Sequence, residues 1–377
     1  MIKGNGMSLN ENNVLPVSYE GEHAYNIHIC EDYSQLKAVI APLNLDGRKV
    51  CIVTDDHIAP HYLKKVEAIV KECANKVVNV VLKAGEEYKN LDSIATIYEK
   101  LIVEHFDRKD TLIALGGGVI GDMTGFAAAT YLRGISFIQM PTTLLSMVDS
   151  SIGGKTGVDY KAYKNMVGAF YMPKAVFINF ETLNTLPDRE FYSGFGEILK
   201  HGLIKDGAYF DELLANAGLL LNRDAGALTN AVYKSCCIKR EVVQNDPKEQ
   251  GERALLNFGH TIGHAVEKLM NFEMLHGECV GIGMVAATYL SMERGNITKE
   301  DFDRILAALK EFHLVDGIRS IKEHMNAEDI LLTTKSDKKM DGNTIRFILL
   351  NKPGEAYIDT TVSEEEVLKA SKFILSF

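Results

Sequence analysis

The stretch Leu112–Asp159, LIALGGGVIGDMTGFAAATYLRGISFIQMPTTLLSMVDSSIGGKTGVD, decides the fold of this chain. A short apolar run, Thr111–Leu115, is followed at once by Gly116–Gly118 and then by Val119–Thr130, which is rich in small residues. This order predicts a strand, a glycine turn and a helix. The glycines let a ligand approach the main chain, and the first helical turn offers free N–H groups to an anion. A phosphate group is therefore the expected ligand.

Two familiar phosphate-binding motifs fit this stretch poorly. The run from Gly116 to Asp122, G-G-G-V-I-G-D, lacks the G-x-G-x-x-G spacing of the dinucleotide fingerprint. Gly153–Thr156 is similar to the end of a P-loop, but the first glycine of that motif is missing here. A nucleoside triphosphatase is therefore disfavoured, and a glycine turn can also be a simple strand-to-helix connection.

Outward from this stretch, apolar strands alternate with helices. The predicted strands are Lys49–Asp55, Val77–Leu82, Ser136–Met140 and Ala175–Asn179, and helices are expected near His57–Cys73 and Leu91–His105. Such alternation predicts a Rossmann-like, mostly parallel sheet that is covered on both faces and binds nucleotides at the carboxyl ends of its strands.

The character of the chain changes after Pro187, because the segments from Arg189 to about Glu311 are mostly helical in pattern. We therefore expect a flexible tail over residues 1–18, a nucleotide-binding α/β domain over 19–187 and a helical domain over 188–377. A short hairpin, Thr344–Leu350 with Ala356–Thr360, and a last helix from Ser363 complete the prediction.

Composition excludes several classes of protein. The 377 residues carry 41 basic and 51 acidic side chains, a net charge of −10, which argues against a nucleic-acid or anionic-membrane binder. No apolar stretch reaches transmembrane length, and the polar N-terminus does not resemble a signal peptide. The six cysteines lack C-x-x-C spacing and are expected to be reduced. A cytoplasmic enzyme fits these features.

The helical half carries the candidate metal ligands. Glu197 and Lys200 lie three residues apart, either as a surface ion pair or, given their apolar neighbours, on a helix buried on several sides. His260 and His264 have the i, i+4 spacing common in metal sites, and His276 supplies a third imidazole. Spacing favours His260 and His264 as a metal pair, but one of them could instead be an acid or base. Sequence spacing leaves both possibilities open.

Nine motifs together resemble the 3-dehydroquinate synthase family over roughly residues 45 to 350. They are Gly85–Lys89, Gly116–Asp122, Pro141–Thr143, Asp149–Gly157, Lys164–Asn165, Gly196–Glu197 with Lys200, Arg253–His264, His276–Glu278 and Asp337–Lys339. The resemblance implies conversion of 3-deoxy-D-arabino-heptulosonate 7-phosphate to 3-dehydroquinate and phosphate. In the family, one site oxidises a hydroxyl transiently, eliminates phosphate, reduces the ketone and closes a ring by an aldol step, so NAD is not consumed.

Carried over residue by residue, the resemblance implies one divalent metal, zinc or cobalt, held by Glu197, His260 and His276. His264 would then be an acid–base residue, and Lys155, Lys200 and Glu197 would join it in catalysis. The sequence also predicts a loop with a basic cluster over Lys335–Met340. The substrate, a small sugar-acid phosphate, would be bound by two lysines of this loop and by residues elsewhere in the chain: Asp149, Lys155, Asn165, Lys200, Lys239, Arg253, Asn257, His264, Lys338 and Lys339. Arg133 would reach the substrate of a neighbouring subunit, which implies a homodimer.

The same resemblance assigns the NAD contacts. They are Asp55, Glu86, Lys89, Gly117, Gly118, Val119, Asp122, Thr142, Thr143, Asp149, Lys155, Lys164, Thr182, Leu183, Asn184 and Thr185. The sequence departs from the family pattern at Asp159, where the family usually has Asn, and in the extension before about Val17.

Three other functions compete with this prediction. Related cyclases that act on other sugar phosphates generally alter the D-S-S-I-G-G-K-T-G block, which is intact here. A metal-dependent polyol or glycerol dehydrogenase would share the glycine turn and the helical metal domain, but it would reduce NAD stoichiometrically. A catalytically silent regulator would be expected to lack metal ligands, whereas Glu197, His260 and His276 are all present.

Overall fold

A computed structural model describes residues 13–161, 163–271, 273–338 and 346–377, with only the backbone given at 337 and 338. The described residues form two compact units. The first contains those up to Pro187 together with Lys239–Pro247, and the second contains Asp188–Ile238 and those from Lys248 onward. The sequence prediction had placed Lys239–Pro247 with the helical half.

The first unit is built on a seven-stranded sheet. Its strands are β1 (Val14–Tyr19), β2 (Glu22–Cys30), β3 (Lys49–Asp55), β4 (Lys76–Leu82), β5 (Thr111–Gly116), β6 (Ser136–Pro141) and β9 (Ala175–Asn179). Their order across the sheet is β1-β2-β9-β6-β5-β3-β4. Strands β1 and β2 are antiparallel, and every other pairing within this sheet is parallel. The predicted Rossmann-like parallel sheet is confirmed.

Helices cover both faces of the sheet. They are α1 (Leu36–Ile40), α2 (Lys64–Lys71), α3 (Leu91–Val103) and α4 (Gly118–Thr130). One apolar cluster joins Ile97 and Met123, from α3 and α4, to the sheet, and another joins Leu36 and Val66, from α1 and α2, to the opposite face. Central strands of the sheet, such as β5, are buried at every position. This is expected of parallel strands that are covered by helices on both faces.

The predicted N-terminal tail extends too far. Residues Val14–Ser18, which lie inside the predicted 1–18 segment, belong to β1, while residues 1–12 are outside the described part of the chain. Leu15 and Val17 alternate with more exposed neighbours and are 2% and 1% exposed. This period-two pattern buries one face of β1 while its backbone pairs with β2, which explains why the strand forms.

A two-stranded hairpin begins at the end of the stretch Leu112–Asp159. It consists of β7 (Lys155–Tyr160) and β8 (Tyr163–Phe170), paired antiparallel. The sequence pattern predicts a binding motif in this region and does not predict these strands. The hairpin brings Lys155 and Asn165 into regular structure at the end of the stretch.

The second unit is mainly helical, as predicted. Its helices are α5 (Asp188–Lys205), α6 (Gly207–Ala215), α7 (Ala217–Leu221), α8 (Ala225–Asn245, of which residues from Lys239 on group with the first unit), α9 (His260–Leu269), α10 (His276–Glu293), α11 (Lys299–Glu311), α12 (Ile318–Ile321), α13 (Ala327–Lys338) and α14 (Glu364–Ile374). A hairpin of β10 (Phe347–Lys352) and β11 (Glu355–Asp359) precedes α14.

Three further findings concern the segment from Lys335, the cysteines and the possibility of membrane-spanning helices. The basic segment predicted as a loop from Lys335 is instead helical as far as Lys338. All six cysteines lie in the described part of the chain and are reduced, as predicted. Within the described residues, the helices are all too short or too polar to cross a membrane.

Candidate active site

The carboxyl ends of the parallel strands place one group of predicted residues at a single sheet edge. Strand β5 ends at Gly116 opposite Pro141, the last residue of β6. The N–H of Thr142 donates to the carbonyl oxygen of Gly116 at 3.0 Å, so Thr142 lies directly beside the glycine turn. Its hydroxyl oxygen is buried and has no hydrogen-bond partner among the described residues. A ligand with polar groups fits this edge, where α4 also begins.

Lys89 is a buried cation of this unit. Its side chain is 5% exposed, and Nζ lies 2.7 Å from a carboxylate oxygen of Asp122 and donates to Oδ1 of Asn165 at 2.6 Å. Burial lowers the pKa of Lys89, but Asp122 and Glu86 outweigh it and raise the pKa, so the ammonium group keeps its charge. Three of the predicted NAD or substrate residues are therefore linked directly.

Asp159, the departure from the family pattern, supports this network. Its Oδ1 accepts the main-chain N–H of Asn165 at 2.7 Å, and its own N–H donates to the carbonyl of Lys89 at 2.8 Å. Asn165 has a φ of 54°, a left-handed conformation that is unfavourable for most residues and is held here by that contact. An asparagine at 159 could make the same acceptor contact, so the substitution preserves the local geometry.

The other predicted residues of the first unit have definite local positions. Asp55 ends β3, and its Oδ1 accepts the N–H groups of His57 and Ile58. Asp149 contacts Lys239, and Glu86 lies 3.5 Å from Lys164. The remaining predicted NAD contacts follow a strand or lie at the start of a helix, and they are Gly117, Gly118, Val119, Thr143, Thr182, Leu183, Asn184 and Thr185. Lys155 and Arg133 are exposed, and Arg133 has a φ of 68°.

In the second unit, Glu197, His260 and His276 converge. Oε1 of Glu197 lies 3.7 Å from Nε2 of His260 and 3.6 Å from Nε2 of His276. Glu197 comes from the middle of α5, whereas each histidine is the first residue of its helix, α9 or α10. The three side chains therefore present three donor atoms to one point, which is the donor set of catalytic zinc sites.

Burial and charge keep Glu197 ionised and His260 neutral, the protonation states that bind metal. Burial opposes ionisation of Glu197, but Lys200 and the two imidazoles hold its pKa well below the usual range. Burial and the nearby Lys200 lower the pKa of His260 well below its ordinary value, so its imidazole is neutral. Glu197 and Lys200 form a buried ion pair, which confirms the prediction that α5 is buried on several sides.

The fit of a metal can be judged from Glu197 itself. Its Oε1 is fully buried and has no hydrogen-bond partner among the described residues. Both Nε2 atoms face this oxygen, but at distances too long for hydrogen bonds. A divalent cation would satisfy all three atoms together, so the residues present fit a metal.

His264 lies beside this group. Its ring centroid is 5.1 Å from that of His260 and 6.1 Å from that of His276. A second set of three possible ligands joins His264 and His276 to Glu267, which the sequence analysis did not consider. Glu267 lies three residues after His264 and seven after His260, a spacing that places all three on one face of α9 and would have revealed it.

The structure describes some of the remaining predicted residues of the second unit. Arg253 is buried at 2% exposure, and Nδ2 of Asn257 donates to Glu249 at 3.1 Å. The side chain of Lys338 and the whole of Lys339 lie outside the described residues.

Close helix packing brings the carboxylate and one histidine together. A Cβ atom at Gly277 would overlap the carbonyl oxygen of Ser193, and the N–H of Gly277 donates to the hydroxyl of Ser193 at 3.0 Å. Ser193 lies one turn before Glu197 on α5, and Gly277 follows His276 on α10. Glycine is required here by the approach of the two backbones.

Gly277→Ala is therefore expected to destabilise the protein by about 1–3 kcal/mol, because the added methyl group has no space. Urea unfolding measures the change. Gly218→Ala on α7 is the matched control, since nothing lies within 4 Å of its Cβ position. The control should be neutral or stabilising by up to about 1 kcal/mol. Equal stability of the two variants would contradict the packing argument.

The comparisons with known proteins agree with this architecture. The model of the 3-dehydroquinate synthase N-terminal domain matches residues 79–193, and that of the C-terminal domain matches residues 194–340. The chain is 42% identical to the 3-dehydroquinate synthase of Acetivibrio thermocellus, with 92% of this chain and 95% of that protein covered. It is 45% identical to the 3-dehydroquinate synthase of Nitrosospira multiformis, with coverage of 92% and 93%.

A solved structure shows the same fold. It is 2-epi-5-epi-valiolone synthase from Streptomyces hygroscopicus subsp. jinggangensis with NAD⁺ and Zn²⁺ bound, which has a TM-score of 0.86 and 26% identity. The alignment covers 96% of this chain and 99% of that one. The fold is thus that of the sugar phosphate cyclases. Within this class, the two domain models and the close relatives show that the chain belongs to the 3-dehydroquinate synthase family.

Proposed function

We propose that this chain converts 3-deoxy-D-arabino-heptulosonate 7-phosphate to 3-dehydroquinate and phosphate, the second step of the shikimate pathway. Family membership over 92% of the chain supports this activity. The observation that carries it is the convergence of Glu197, His260 and His276 on one point. A silent regulator has no need of such a donor set, which is costly to bury.

The metal site is assigned to Glu197, His260 and His276, with zinc or cobalt as the ion. When bound, the metal supplies a Lewis acid for a substrate hydroxyl or carbonyl oxygen. Lys200 keeps Glu197 ionised through its buried ion pair, so the carboxylate is ready to bind a cation. Phe258 orients His260, because its carbonyl oxygen lies 3.2 Å from Nδ1 and leaves Nε2 directed at Glu197.

NAD is assigned to the first unit, at the carboxyl ends of β3, β5, β6 and β9. When bound, it supplies a reversible hydride acceptor. The first turn of α4 offers main-chain N–H groups to the pyrophosphate. Lys89, held by Asp122 and Asn165, adds a fixed positive charge near this edge.

The substrate residues act as cations and as an acid–base group. Four basic side chains, Lys155, Lys200, Lys239 and Arg253, are assigned to the carboxylate and phosphate of the substrate. His264, which is exposed, takes the proton from the hydroxyl to be oxidised onto an imidazole nitrogen and returns it later. Asn165 and Asn257 supply hydrogen bonds to hydroxyl groups, with Asp149, Lys338 and Lys339 as further assigned contacts.

A homodimer and a cytoplasmic location belong to the same proposal. Arg133 is exposed and has the left-handed conformation, with a φ of 68°. An exposed arginine at a strained turn can reach a phosphate on a second copy of the chain. Light scattering of the purified protein tests the dimer, and a monomer at assay concentration would contradict this role of Arg133.

One assay separates this function from a polyol dehydrogenase. The protein is incubated with the heptulosonate phosphate, NAD and zinc while phosphate and NADH are both measured. We expect phosphate release over many turnovers with no net accumulation of NADH, because the hydride is returned to the product. Stoichiometric NADH would favour the dehydrogenase, and inactivity with intact zinc binding would favour another cyclase substrate.

Chelation is expected to abolish phosphate release, and zinc or cobalt should restore it. The reason is that Glu197, His260 and His276 provide the donor set of a catalytic metal. The restored rate is measured against a sample treated in parallel without chelator. Full phosphate release by demonstrably metal-free protein would contradict the metal requirement.

A further inference from the structure

The two nitrogens of His276 face two different carboxylates. Nε2 lies 3.6 Å from Oε1 of Glu197, whereas Nδ1 lies 4.0 Å from Oε1 of Glu267. Glu197 belongs to the proposed metal site, but Glu267 has no role in it so far. Glu267 is 6% exposed, so its carboxylate is largely shielded from water. Burying an ionised carboxylate is costly unless a donor faces it.

The two histidines of the metal group share one arrangement. His260 directs Nε2 at Glu197 and places Nδ1 3.2 Å from the carbonyl oxygen of Phe258. His276 also directs Nε2 at Glu197, and its Nδ1 faces Glu267. An imidazole that binds a metal through Nε2 carries its proton on Nδ1, which then needs an acceptor. The carbonyl oxygen of Phe258 lies within hydrogen-bonding distance of Nδ1 of His260, and the carboxylate of Glu267 faces Nδ1 of His276 at 4.0 Å.

Close packing of α9 and α10 makes this reach possible. A Cβ atom at Gly263 would lie 2.8 Å from the carbonyl oxygen of Cys279, so the two helix backbones nearly touch. Glu267 lies one turn beyond Gly263 on α9, and His276 is the first residue of α10. The side chain of Glu267 on α9 can therefore approach the imidazole of His276 on α10.

We propose that Glu267 is a positioning residue that orients His276 and fixes its proton on Nδ1, so that Nε2 is available to the metal. This inference rests on the proposed function, because it assumes that His276 is a ligand. Glu267 touches neither substrate nor cofactor in this role. Its effect is exerted through the imidazole alone.

The test measures zinc affinity by competition with a chelator, without substrate or NAD. We expect Glu267→Ala to bind zinc about 10–100-fold more weakly than the unsubstituted chain. Glu267→Gln should lose less, because its amide oxygen can still accept the Nδ1 proton. Glu293→Gln is the matched control. Glu293 is the last residue of α10, the helix that His276 begins, and its carboxylate pairs with Lys369. The control should bind zinc within about twofold of the unsubstituted chain.

A double-mutant cycle asks whether Glu267 acts through His276. In a His276→Ala background, Glu267→Ala should cause no further loss of zinc affinity, because the group that it orients is gone. In a His264→Ala background, the full loss should remain. The visible spectrum of the cobalt-loaded protein gives a second readout, which should change in Glu267→Ala and not in Glu293→Gln. A purely structural role would lower the folded fraction without altering that spectrum.

The outcomes are distinct. If the unsubstituted chain binds no zinc, the proposed function fails. If it binds zinc and Glu267→Ala binds equally well with an unchanged cobalt spectrum, only the role of Glu267 fails. The inference would also be overturned if Glu267→Ala weakened zinc binding in the His276→Ala background but not in the His264→Ala background. Should Glu267→Ala not fold, Glu267→Met, which keeps the side-chain length and offers no oxygen acceptor, takes its place in both measurements.

Discussion

Glu197→Gln is expected to abolish zinc retention and to reduce phosphate release by at least about 10³-fold, since a catalytic metal supplies several kcal/mol of transition-state stabilisation. Oε1 of Glu197 is the atom that both Nε2 atoms face, and it is fully buried. The amide has no negative charge to offset that of a cation. Metal analysis after dialysis, together with the phosphate assay, measures both effects.

The same substitution is expected to lower the free energy of unfolding by about 3 kcal/mol. It removes one partner of a buried ion pair and leaves the ammonium group of Lys200, 1% exposed, without a counter-ion. The double variant Glu197→Gln with Lys200→Met is the control. It should regain much of the stability, because the uncompensated charge is gone, but zinc binding should stay lost. Zinc retention by Glu197→Gln at the affinity of the unsubstituted chain would exclude Glu197 as a ligand.

The second large effect separates the two histidines of α9. His264→Ala is expected to retain zinc and to turn over about 10²–10⁴-fold more slowly, the usual range for loss of a general acid–base group. His260→Ala is expected to lose zinc as well as activity. The reason is that Nε2 of His260 faces Glu197, whereas His264 is exposed at the edge of the group. Metal content and single-turnover rates are measured on the same preparations.

The pair of variants forms its own control, because both remove an imidazole from the same helix. Urea unfolding of the two metal-free proteins checks that neither is unfolded. Loss of zinc from His264→Ala as complete as that from His260→Ala would overturn the assignment. Undiminished turnover of a zinc-loaded His264→Ala variant would remove His264 from the chemistry.

Most of the parallel sheet could be predicted from the sequence. Strand β3 begins and ends at the predicted residues, and β5 and β6 extend one residue beyond them. These strands are buried on both faces, so they appear as short continuous apolar runs bounded by polar residues or glycine. Strands β1 and β2 and the hairpin of β7 and β8 are not predicted from the sequence. Their residues alternate or include exposed polar groups, and pairing partners, not local pattern, stabilise them.

The candidate site was predictable in its residue types but not in its geometry. The i, i+4 spacing placed His260 and His264 on one helix face and could not show which of them meets Glu197. In the structure, Nε2 of His260 faces that carboxylate across two helices that are far apart in sequence. The spacing of Glu267 on α9 was equally visible, but its relation to His276 requires the packing of α9 on α10.

By itself, the sequence determined the class of fold, the glycine turn at the end of β5 and the chemical types of the site residues, because these depend on short-range patterns of size and polarity. Only the tertiary structure decided that Glu197 and Lys200 are a buried ion pair and that two imidazoles share Oε1 of Glu197. The physical reason is that burial and convergence depend on backbones that touch, as at Gly277 and Ser193, and local sequence does not encode which helices will meet.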